Sequence, residues 1–98
     1  MEELQREFEL SCAETIRKCR SLGYIPTVWI RMIQTHGAVD TARRLVLSGD
    51  FQDGFLKLLS LGRPDLTVEN AILDERWRDL FTEDERKVAM WRLDNARR

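Results

Sequence analysis

His36 is the single histidine of the chain, and with Cys12 and Cys19 it could supply a nucleophile and its base. A thiol beside an imidazole gives up its proton to the ring and attacks an electrophilic carbon. The spacing argues otherwise. Both cysteines fall on the apolar arc of one helical pattern, where free cysteine behaves as a small hydrophobe. His36 lies in the apolar arc of a second pattern, one residue before Gly37, where a histidine ordinarily complements the last carbonyls of a helix. A structural zinc site takes about four ligands in tight Cys/His spacing, and three scattered candidates do not make one. No metalloprotease, phosphate-loop or dinucleotide motif occurs, so no catalytic residue, metal, cofactor or small-molecule substrate is expected.

Carboxylates gather at Asp74-Glu75, Asp79 and Glu83-Asp84-Glu85, a density that could hold a divalent cation or share acid–base work. Arg76, Arg78, Arg86 and Lys87 alternate with them near helix starts. Helix capping and solvated charge pairs are therefore the expected use.

These residues must be positioned by helices. Leu4, Phe8, Cys12, Ile16 and Cys19 share an arc of about 120° over residues 3–21, and the pattern stops near Gly23. At seven residues apart on one helix the cysteines are separated by ~10 Å, beyond the ~7 Å limit of a disulfide, and read as reduced. A second helix opens at Pro26, carries Val28, Trp29, Met32 and Ile33 on one face, and turns at Gly37. A third, about 38–48, buries Ala38, Val39, Ala42, Leu45 and Val46, with Asp40 and Arg44 as a solvent-side pair. It should stop at Gly49.

A fourth helix, about 51–61, groups Phe51, Phe55, Leu58 and Leu59. Gly54 inside it costs ~1 kcal/mol against alanine, so this helix is weak there or something packs close to its backbone. After a Gly62-Arg63-Pro64-Asp65 loop, Thr67 caps a short helix of about 67–73, with Glu69 placed to complement its dipole. A single turn around 75–80 carries Trp77, and Thr82-Glu83-Asp84-Glu85 is a capping box that starts a last helix of about 83–95.

The 98 residues, 43% hydrophobic and 34% charged, suit one folded helical domain with a modest core. Net charge is −1 and both halves are balanced, so neither is an electrostatic tail for nucleic acid or anionic lipid. No apolar run approaches the ~20 residues that span a bilayer. The acidic Met1-Glu2-Glu3 start is the reverse of a secretory signal, and the expected location is cytoplasmic.

Two surfaces remain. Residues 28–47 can be drawn as a helix-turn-helix, which would offer Asp40, Thr41, Arg43 and Arg44 to a major groove. That is the alternative function, helped by Arg92, Arg97 and Arg98, but the chain lacks the basic surplus behind non-specific affinity. In the last helix Ala89, Leu93 and Ala96 form one side, while Trp91 lies nearly opposite Leu93, close to Val88. Such a helix is either wedged between helices of its own domain, or Trp91, with Val88 and Trp77, belongs to an exposed patch for a partner protein or self-association.

In order along the chain stand Tyr24-x-Pro26, His36-Gly37, Ala42-x-x-Leu45, Gly54-Phe55-x-x-Leu58, Leu66-Thr67-Val68-Glu69, Leu80-Phe81-Thr82-x-x-Glu85 and Arg92-Leu93. Together they resemble an uncharacterised bacterial all-helical module of about this length, found free-standing or appended to larger proteins, some with helicase- or nuclease-like parts. The resemblance covers about residues 24–93 and leaves 1–23 outside. It implies an accessory or interaction module, in a nucleic-acid-processing or defence setting, and brings no catalytic residue. The expected fold is all-α, a compact orthogonal bundle of five to six short helices. The expected function is non-enzymatic protein interaction.

Overall fold

Apolar side chains that recur every three or four residues need a helix to bring them to one side, and residues 2–21 form it in the computed structural model. The structure describes residues 2–48 and 52–96. The stop expected at Gly49, Phe51 of the fourth helix, and the arginines Arg97 and Arg98 lie outside the described residues. Within them the chain is helical throughout, with no strand. The α-helices are α1 (Glu2–Ser21), α2 (Thr27–His36), α3 (Ala38–Val46), α4 (Asp53–Ser60), α5 (Val68–Leu73) and α6 (Glu83–Ala96). Two 3₁₀ helices, Pro64–Leu66 and Glu75–Leu80, flank α5.

The helix ends follow from local chemistry. Thr67 Oγ1 accepts the Asn70 N–H at 3.1 Å and caps α5. At the start of α6 the box is reciprocal: Glu85 N–H donates to Thr82 Oγ1 at 3.1 Å, and Thr82 N–H to Glu85 Oε1 at 2.8 Å. Gly37 alone separates α2 from α3. Its φ of +82° is the left-handed conformation that glycine adopts without strain, and its N–H closes α2 on the Ile33 carbonyl at 2.8 Å. The expected loop before Thr67 is partly 3₁₀ helix, because Pro64 presets a tight turn and Arg63 chelates Asp65 at 3.1 and 3.0 Å.

The core forms where α1 crosses the C-terminal half. Phe8 meets Trp77 and Phe81 edge-on, with ring centroids 5.5 and 5.4 Å away and planes at 77° and 70°. Cys12, Trp29, Ala42, Val46, Ile72 and Ala89 close around them. Trp77 is 4% exposed, so it belongs to this core and not to a surface patch. The 3₁₀ helix turns its ring inward, where Phe8 covers it. The N-terminal helix outside the resemblance is thus an integral wall of the core.

A smaller cluster joins Cys19, Leu58 and Leu66, with Tyr24 packed on it. This is where Gly54 finds its reason. A Cβ at that position would strike the Tyr24 hydroxyl, so glycine makes the room in which Tyr24 sits against α4.

Candidate functional site

The alternative nucleic-acid reading would use Arg92 of α6, but its side chain points into the protein. Arg92 is 3% exposed; its Nε donates to Glu69 Oε2 at 2.7 Å and its Nη2 to Gln52 Oε1 at 2.7 Å. The guanidinium also lies over the Phe55 ring, 5.4 Å from its centroid. Arg92 therefore fastens α6 to α5 and to the entry of α4, and Glu69 does more than complement a dipole. Neighbouring Arg86 is likewise spent inside, donating to the Ile72 carbonyl at 2.9 Å and to Glu75 at 3.1 Å.

The groove-reading face proposed for α3 is not assembled. Thr41 is wholly buried. Arg43 donates to the Leu80 carbonyl, sits 3.4 Å from Glu85 Oε2 and covers the Phe81 ring, which ties α3 to the start of α6. Arg44 is exposed but holds Asp40 Oδ2 at 2.7 Å, the expected pair, and this bond keeps the Asp40 carboxyl below its ordinary value. Of the three candidate arginines among the described residues, one is buried, one is half-buried against backbone, and one is paired with Asp40. That leaves little cationic charge for phosphates.

The thiols and the imidazole are also apart in kind. Cys12 and Cys19 are excluded from solvent, whereas His36 is exposed at the end of α2, 3.9 Å from Asp40. Burial, helped by the nearby Glu9 charge, pushes the Cys12 thiol up to about 12, and burial raises Cys19 as well. A thiol so placed is protonated at neutral pH and inert as a nucleophile. Among the described residues no group of three or more His, Cys, Asp or Glu side chains could hold a metal ion.

Asp74, Glu75, Glu83 and Glu85 of the acidic run serve as caps and pairs, while Asp79 and Asp84 are exposed. Asp74 accepts the Arg76 N–H at 3.0 Å; Glu75 is held by Arg78 at 2.7 Å and by Arg86. Glu83 accepts from Arg78 at 2.8 Å. The hydrogen bond from Arg78 holds the Glu75 carboxyl below its usual range, and the Arg76 N–H does the same for Asp74.

Part of what the fold leaves outside is apolar. Trp91 is 58% exposed and Met90 51%, side by side on α6, while Ala89 beneath them is fully buried. The helix is not wedged on both sides: its Trp91 side faces water. Val88 is half-buried and packs on the core, so it supports this face from below more than it displays one. The side-chain directions of a helix bring Lys87, Met90, Trp91 and Asp94 onto one strip, each of them exposed. Sequence reasoning named Trp91 but missed Met90, although its position next to Trp91 on the same strip was the signal.

A second apolar feature is a groove of about 760 Å³ between the start of α2, α4 and the Leu66–Glu69 segment. Tyr24, Trp29, Phe55 and Val68 line it, and Ile25 and Val28 stand exposed at its edge. The Trp29 Nε1–H is buried without an acceptor among the described residues.

Comparison of the chain with protein-family models, with curated proteins and with solved structures finds no match. No helix among the described residues is long and apolar enough to cross a membrane.

Proposed function

We propose that this orthogonal bundle of short helices is a non-enzymatic interaction module that binds protein through the outward strip of α6. The observation that carries the reading is the joint exposure of Trp91 and Met90 on a helix whose other side is firmly anchored. A tryptophan more than half exposed on a rigid support is the residue type that dominates binding energy at protein interfaces. Among the described residues, Arg43, Arg44 and Arg92 are engaged within the fold, which favours protein over phosphate as the partner. The resemblance of the ordered residue set to an accessory module points the same way.

Trp91→Ala tests it. The variant should keep its helical circular dichroism and its thermal midpoint, since Trp91 is mostly outside the core. It should lose association, read by light scattering of the pure protein and by pulldown from cells of the native host. Unchanged association with intact folding would sink the reading.

A further inference from the structure

The strip on α6 has an internal symmetry that names its occupant. Met90 and Trp91 stand at the centre; Lys87 lies three residues before Met90, and Asp94 three residues after Trp91. Lys87 and Asp94 are seven residues apart, two helical turns or ~10 Å, on the same face. Both are exposed, and no ion pair within the described residues engages either of them. By contrast, Arg78 nearby is paired with both Glu75 and Glu83.

Resting on the interaction reading above, we infer that the partner of this strip is a second copy of the same chain, docked antiparallel across a two-fold axis between Met90 and Trp91. In such a pairing a residue some distance before the axis meets the residue an equal distance after it on the other copy. Met90 then covers the partner's Trp91, and Lys87 faces the partner's Asp94, each contact occurring twice. A flat apolar centre is closed at both ends by opposite charges, the arrangement that sets orientation and register in helix pairs. A parallel pairing has no such match, because it places Lys87 on Lys87 and Asp94 on Asp94. The seam is one helix wide, so the dimer is weak and reversible, not obligate.

Sedimentation velocity over a concentration series tests it with full-length protein. The wild-type mass should rise from 11.6 kDa toward twice that value as concentration increases. Lys87→Glu alone and Asp94→Lys alone should each weaken dimerisation at least about tenfold, since symmetry makes every substitution count at two contacts. The doubly substituted Lys87→Glu/Asp94→Lys chain should recover wild-type association, and Trp91→Ala should abolish it. Both charged side chains lie at the surface, and matched circular dichroism verifies each fold. A wild-type chain that stays monomeric at several hundred micromolar overturns the inference. So does indifference of the dimer to the single charge changes, or a double variant that is not restored. Trp91-dependent capture of a different protein by a monomeric chain also overturns it, while leaving the interaction reading itself intact.

Discussion

Arg92 and Glu69 meet at 2.7 Å with their side chains 3% and 2% exposed, an ion pair enclosed between α6 and α5. A buried pair of this kind adds little over a well-packed apolar one, but breaking it strands a charge in the interior. Arg92→Met should therefore cost roughly 3–5 kcal/mol in urea denaturation. Glu69→Leu should cost a similar amount, and the two substitutions together less than their sum. A loss below about 1 kcal/mol for Arg92→Met would show that water reaches the pair.

The second expectation concerns Gly54. Alanine ordinarily gains over glycine in a helix, by up to about 1 kcal/mol in its interior and less in the first turn where Gly54 stands, but here the Tyr24 hydroxyl occupies the space of the new methyl group. Gly54→Ala alone should be neutral or destabilising. In a Tyr24→Phe background, where only ring carbon remains nearby, the same change should raise the thermal midpoint. Equal effects in the two backgrounds would contradict the contact.

Thr41 offers a substitution that should help. Its hydroxyl is fully buried without a hydrogen-bond partner among the described residues, and such a group is held at a cost of about 1–3 kcal/mol. Thr41→Val keeps the shape and removes the hydroxyl, so chemical denaturation should show a gain on the order of 1 kcal/mol. A loss of that size would mean that the hydroxyl is satisfied in solution.

The Cys12 thiol sets a pH dependence. In the folded chain it holds its proton up to about 12, against an ordinary 9.0, because burial penalises the thiolate. The folded state thus binds this proton more tightly than the unfolded one. Its contribution is fully present below about pH 9 and is lost as pH rises toward 12. Unfolding midpoints measured across that window should fall more steeply for wild type than for Cys12→Ala. At pH 8 both cysteines should resist a thiol reagent until denaturant is added; prompt native labelling of Cys12 would refute the burial argument.

Local chemistry could be read from the chain, and contacts between distant segments could not. Thr67, the Thr82–Glu85 box and the Asp40–Arg44 pair act over three or four residues, so their spacing alone specifies them. The buried arc of α1 was legible for the same reason, with Phe8, Cys12 and Cys19 all enclosed. Trp77 was misplaced because a 3₁₀ helix carries no periodic stripe, and its cover, Phe8, comes from the other end of the chain. Arg92 looked like any exposed cation. Its partners Glu69 and Gln52 lie 23 and 40 residues away, and nothing in helical spacing couples them.

The three tryptophans occupy three different optical environments. Trp77 is packed among rings, Trp29 is buried with its N–H unbonded among the described residues, and Trp91 is more than half exposed. Its emission is the red component of the native spectrum and the one within reach of a collisional quencher such as acrylamide or iodide. The molecule therefore carries its own reporter: whatever settles on α6 shifts that component to the blue and shields it, with no label attached.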